Sequence, residues 1–112
     1  MKWNALALVL VLFGCSSQAV PTLADNPAAW QSYGEERAKG GYIVQSESKL
    51  DAFSTTGQVS QAQYQAYLAG YESGKAAYCS LAPSYLATKG EIYRGICDDV
   101  DPFFRAKFSK AI

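Results

Sequence analysis

The stretch from Ser60 to Cys79 has the pattern of one long helix, and its interior holds two glycines, Gly70 and Gly74, on a single stripe with Ala77 beyond. Each interior glycine costs about 1 kcal/mol relative to alanine. Such a stripe is sustained where a neighbouring backbone comes close enough to need it. The membrane-dimer use of this spacing requires an apolar span, and Tyr71-Glu72-Ser73 is not one. The prediction is therefore helix against helix inside a folded domain. Ser60 and Gln63 have the spacing of a capping box at the start of this helix. Tyr64, Tyr67, Leu68, Tyr71 and Tyr78 recur at helical spacing and set several rings along one broad face.

A partner helix is visible upstream. Asn26-Pro27 supplies a cap and a proline for the first helical position, and Ala28 to Lys39 continues the helix until Gly40-Gly41 stops it. Gly34 to Tyr42 also aligns with Gly70 to Tyr78, matching Gly34 with Gly70, Glu36 with Glu72, Lys39 with Lys75 and Tyr42 with Tyr78. This echo predicts two similar helices packed through their small faces, Gly34-Ala38-Gly41 against Gly70-Gly74-Ala77. A short helical stretch over Leu50 to Phe53, a loop opening at Ala82-Pro83-Ser84, and a last helix from Phe103 to about Lys110 complete the pattern.

The N-terminus constrains the address. Lys2 followed by the apolar run Ala5 to Phe13 has the pattern of a secretory signal, and the run is shorter than the roughly 20 apolar residues that span a bilayer. Leu12-Phe13-Gly14-Cys15 resembles a bacterial lipobox. That resemblance implies cleavage before Cys15, a diacylglyceryl thioether on its sulfur and an acyl chain on its amine. One chain binds a membrane weakly and two or more hold it stably, at about 0.8 kcal/mol per buried methylene. The competing site is Ser17-Gln18-Ala19, where ordinary signal peptidase would release a soluble chain from Val20. Ser16 after the cysteine, where aspartate would retain the protein at the inner membrane under enterobacterial-type sorting, implies the outer membrane. The expected organisation is residues 1–14 as signal, 15–26 as lipidated N-terminus and mobile tether, and 27–112 as one small helical domain.

Three cysteines become an even pair once Cys15 carries lipid, and Cys79 with Cys97 is the expected disulfide in an oxidising compartment. Closing a loop of that length constrains the unfolded chain by about 3 kcal/mol. The chain contains no histidine, which removes the commonest general base, the commonest metal ligand and every Ser-His or Cys-His pairing. With two cysteines consumed, no zinc or iron–sulfur site is expected, and neither a metal nor any other cofactor is predicted. Ten basic residues balance ten acidic ones, so the excess positive charge that binds nucleic acid is lacking.

The stretch Tyr67 to Ser80, then Gly90 to Tyr93 and Gly95 to Cys97, resembles the small bacterial lipoproteins of the domain-of-unknown-function family number twenty-seven ninety-nine. The matching positions are Trp30, Gly34 and Glu36; Tyr67, Gly70, Gly74, Tyr78 and Cys79; and Gly90, Tyr93, Gly95 and Cys97. Ala38 stands where that family more often has a second glycine. The resemblance implies an envelope location and a disulfide, and brings no activity with it.

Candidate chemistry is sparse. Asp98, Asp99 and Asp101 lack the spacing of a calcium loop, and Asp101 is better placed as a helix cap with the other two as solvated charge. Glu36 and Glu72 are a possible carboxylate pair for a small peptidoglycan hydrolase, which needs a separation of about 5 to 9.5 Å across a cleft. The preferred expectation is a lipid-anchored, non-enzymatic binding module of the envelope, with no catalytic residues, facing the periplasm and meeting an envelope protein or peptidoglycan. Packing in or beside the core is the favoured reading for each tyrosine; any ring left outside the core favours such contacts, and Tyr64, Tyr67, Tyr71, Tyr78 and Tyr93 are the candidate binding surface. Gly34, Gly70 and Gly74 are the candidate helix-packing glycines.

Overall fold

The computed structural model describes residues 22–112. The expected signal, the expected lipobox and Cys15 lie outside the described residues. The described chain is mainly helical and contains no strand: α1 (Pro27–Lys39), α2 (Glu47–Leu50) running into a 3-10 turn (Asp51–Phe53), α3 (Gln61–Cys79), α4 (Pro83–Thr88) and α5 (Phe104–Lys110).

Both long helices begin as their sequences prescribe. The Asn26 side chain accepts from the Ala29 amide with Pro27 opening the first turn, and Ser60 and Gln63 form both halves of the capping box. The Gly40-Gly41 stop is real as well, with Gly41 at φ 81°.

α1 and α3 form the body of the domain, packed through the glycines. A β-carbon on Gly34 would overlap the Tyr67 carbonyl, one on Gly70 the Gln31 carbonyl, and one on Gly74 the Glu35 carbonyl while standing 2.9 Å from the Ala38 β-carbon. Gln31 meets Gly70, Glu35 meets Gly74 and, just beyond α1, Gly41 meets Tyr78, so α1 and α3 run parallel. A parallel pair needs a return path of about 20 Å, the length of α1 at 1.5 Å per residue, and residues 40–60 provide it. The expected small faces hold at Gly34, Ala38, Gly70 and Gly74, all buried. They fail at Ala77, which is exposed, and at Gly41, which has left the helix and lies against the Tyr78 ring.

Three segments differ from expectation. The short helix expected over Leu50 to Phe53 begins earlier, at Glu47 behind a Ser46 cap, and passes into the 3-10 turn at Asp51. Ala82-Pro83-Ser84 opens helix α4 rather than a loop, because Pro83 sits at the first helical position where its missing N–H is no loss. Residues 23–25, placed in the mobile tether, are fastened to the domain. The Leu23 amide donates to the Phe53 carbonyl (2.8 Å), the Trp30 indole to the Ala24 carbonyl (3.0 Å), and the Gln63 side chain to the Asp25 carbonyl (2.9 Å). Trp30, fully buried, uses the Ala24 carbonyl to satisfy an indole N–H that would otherwise be stranded.

A smaller lobe follows α3. α4 and α5 pack around Leu86, Tyr93, Ile96, Phe104 and Phe108, with the Tyr93 ring centroid 5.0 Å from that of Phe104. The Cys79–Cys97 disulfide, with its Cα atoms 5.7 Å apart, joins the end of α3 to this lobe.

Candidate functional site

The tyrosines offered as a candidate binding surface pack in or against the core, the reading favoured for each of them, and do not form that surface. Tyr67, Tyr71, Tyr78 and Tyr93 are buried, and Tyr64 is half-buried against the same core. Helical spacing put these rings on one face correctly, but that face and its flanks are covered by α1 and by the returning strand of chain. Their hydroxyls hold backbone instead. Tyr71 donates to the Tyr42 carbonyl (2.7 Å), and Tyr67 accepts from the Gln45 amide (2.8 Å). Tyr93 accepts from the Cys97 amide (2.9 Å) and donates to an Asp98 carboxylate oxygen (2.8 Å). Burial pushes the phenols of Tyr71 and Tyr93 up to about 12, with the Asp98 hydrogen bond adding to the effect on Tyr93. Burial also raises those of Tyr67 and Tyr78.

What the buried hydroxyls present is the strap they grip. From Tyr42 to Gln45 the chain crosses α1 and α3, with the Arg37 side chain donating to the Ile43 carbonyl (2.8 Å) and Tyr33 donating to the Gln45 side chain. Tyr42, Ile43 and Val44 are each 44% exposed, three consecutive apolar side chains on a backbone tied at both ends. The Arg94 and Arg37 guanidinium carbons lie 4.3 and 5.2 Å from the centre of the Tyr42 ring. The sequence contained a signal for this surface: an apolar run placed directly after a glycine pair, outside any helix.

Two clefts open near the C-terminal ends of the long helices. One, of about 430 Å³, is lined by Glu72, Lys75, Cys79 and Asp99 among others, and the largely buried Lys75 pairs there with Asp99 at 2.9 Å. The other, of about 370 Å³, lies between Gly40 and Tyr42 on one side and Gly90, Glu91, Ile92 and Arg94 on the other. Glu36 lines neither cleft, and both Glu36 and Glu72 are exposed. The carboxylate pair of the hydrolase reading thus shares neither of these clefts.

The aspartates after Cys97 disperse onto separate partners. Asp98 pairs with Arg105 (2.9 Å), Asp99 with Lys75, and Asp101 with Lys107 (3.5 Å) while also accepting from the Phe103 amide. Asp98 and Asp99 are ion-paired rather than simply solvated, and Asp101 does not cap α5, whose N-cap position is Phe103 with no side-chain cap bond; the Arg105 guanidinium and Tyr93 hydroxyl hold the Asp98 carboxyl below its ordinary range. Among the described residues no cluster of side chains is arranged to hold a metal ion. No described helix is long and apolar enough to cross a membrane.

Residues 29–112 match the family described as Protein of unknown function (DUF2799). The match covers most of the chain, from the first turn of α1 through α5, and the chain belongs to that family. Neither the curated proteins nor the solved structures provide a significant match.

Proposed function

We propose that this chain is a lipid-anchored, non-enzymatic interaction module of the bacterial envelope. In this reading acyl chains on Cys15 hold it to the outer membrane on the periplasmic side, and its partner is an envelope protein or peptidoglycan. The observation that carries the reading is the rigid strap: Tyr42, Ile43 and Val44 stand half-exposed on backbone fixed by Tyr67, Tyr71 and Arg37. Apolar side chains held in place by the fold lose little entropy on binding, and this favours their use as contacts. The absence of histidine from the sequence and the dispersal of the carboxylates support a binding role over catalysis.

Two measurements test it. A photo-crosslinking residue at Ile43 or Val44 in intact cells is expected to give one discrete adduct, with an envelope protein or with the cell wall, that the exposed α3 position Gln65 does not give. Equal labelling from all three positions, or none, rejects the strap as the contact. Mass spectrometry of the mature N-terminal peptide tests the anchor: an acylated Cys15 is expected, and an unmodified peptide beginning at Val20 refutes it.

A further inference from the structure

The cleft between Gly40 and Tyr42 and the segment Gly90 to Arg94 brings together opposite charges that do not neutralise each other. Among the described residues neither Glu91 nor Arg94 belongs to an ion pair. Arg94 directs one N–H to the Ile92 carbonyl at 3.2 Å and lies over the Tyr42 ring, which leaves the rest of its donor fork unused. Glu91, half-buried, directs its carboxylate to no hydrogen-bond donor among the described residues.

A second observation lies behind the same wall. Tyr78 is 2% exposed, and its hydroxyl is buried without a hydrogen-bond partner, whereas the great majority of buried polar atoms in native proteins are paired. That hydroxyl packs directly on Gly41, between the two residues that form one side of the cleft. A β-carbon at Gly41 would stand 2.9 Å from it. After burial itself, the charges that act on the Tyr78 phenol are Glu91, which raises its pKa, and Arg94, which lowers it. The phenol therefore lies within the field of both.

We propose that this cleft binds a small zwitterion of the amino-acid or short-peptide class, with Arg94 taking the carboxylate, Glu91 the ammonium, and Ile92 and the Tyr42 ring flanking the side chain. The Tyr78 hydroxyl lies behind the Gly41 backbone, outside the cleft lining, and leaves an unpaired polar group on the far side of that wall. A neutral glycan would leave both charges unsatisfied, and a multiply charged anion would meet the repulsion of Glu91. A volume of about 370 Å³ suits one or two amino-acid residues rather than a folded partner. The inference rests on the binding-module reading and names what one of its surfaces takes.

The test is an NMR titration of the full mature protein, in detergent micelles, with alanyl-alanine, its N-acetyl derivative and its C-terminal amide. Saturable shifts are expected at the amides of Gly40, Gly41, Gly90 and Arg94 with the free dipeptide. Either blocked derivative is expected to bind at least about tenfold more weakly, as the loss of one charge-assisted hydrogen bond implies. Glu91→Gln should make the dipeptide and its N-acetyl form equivalent, and Arg94→Gln should do the same for the dipeptide and its amide. Arg94 is exposed and Glu91 half-buried, and retained shift dispersion elsewhere verifies the fold of each variant. Absent or unsaturable shifts, shifts away from the cleft, or equal binding of all three probes would overturn the proposal. A flat titration beside a discrete adduct from Ile43 removes the ligand and leaves the interaction module standing.

Discussion

Gly34 lies so close to Tyr67 that a β-carbon on the glycine would overlap the tyrosine's backbone carbonyl, and the same contact recurs with the helices exchanged, Gly70 against the Gln31 carbonyl. The sequence interval from Gly34 to Gly70 equals that from Gln31 to Tyr67. The echo between the two helices therefore has a physical basis: each glycine admits a backbone carbonyl of the other helix, related by an approximate two-fold axis along a parallel pair.

Replacing Gly70 by alanine sets two effects against each other. Helix propensity favours alanine by about 1 kcal/mol, while a methyl group driven into the Gln31 carbonyl forces the helices apart at a loss of about 3 kcal/mol, the upper part of the usual range for overpacking. A net loss of about 2 kcal/mol is expected for Gly70→Ala and for Gly34→Ala, read from urea denaturation midpoints. A gain in stability for either would show that the helices do not meet as described.

The disulfide is expected to act mainly on the unfolded chain. Cys79 and Cys97 are 18 residues apart, and a loop of that size corresponds to about 3 kcal/mol in the chain-entropy account. Cys79→Ser and Cys97→Ser should lower stability alike, with the double variant no worse than either, because one substitution already opens the loop. A double variant appreciably less stable than both singles would assign the effect to the packing of the sulfur atoms rather than to the closure.

The features legible in the sequence were those with a local cause. Asn26-Pro27 and Ser60 with Gln63 announce helix starts through hydrogen bonds made within one turn, and the glycine stripe announces a close neighbour. The cysteine pair followed from parity. What stayed hidden depends on where distant segments return. Periodicity cannot tell that Tyr67 and Tyr71 are covered by α1 and by residues 42–45, nor that Asp25, far from Gln63 in sequence, ends beside it. The charged cleft at Glu91 and Arg94 escaped for the same reason, since its facing wall comes from residues 40–42.

Stability should fall steeply in strong alkali. The folded-state pKa values of Tyr71 and Tyr93 are raised to about 12 from the ordinary 10.0, chiefly by burial. Their contribution is therefore fully present below pH 10 and is lost as pH rises through 12, because the unfolded chain gives up those protons first. Asp98 behaves in the opposite sense. Its lowered pKa makes a contribution that is present above its ordinary 3.8 and lost as pH falls through the depressed value. Phenolate absorbance followed with pH should show part of the tyrosine signal appearing only together with the loss of helical circular dichroism. Smooth titration of all eight tyrosines near pH 10 with the helix intact would contradict their burial.

Two hydroxyl deletions on α3 should have unequal effects. Tyr71→Phe removes the donor to the Tyr42 carbonyl, so a bond that fixes the strap is lost and a half-exposed carbonyl turns to water, at about 1 kcal/mol. Tyr78→Phe removes a buried hydroxyl with no partner, so nothing is broken and one desolvated polar group is relieved. In the ligand-free protein the first is expected to lower stability, while the second leaves it unchanged or raises it. Amide hydrogen exchange separates local from global effects. Tyr71→Phe should accelerate exchange at Gln45 more than at residues in the middle of α3, since the strap loosens before the helix pair opens. Equal acceleration throughout the domain would mean that the strap and the helix pair open as one unit, and that Tyr42, Ile43 and Val44 are held by the fold as a whole rather than by the hydroxyl beneath them.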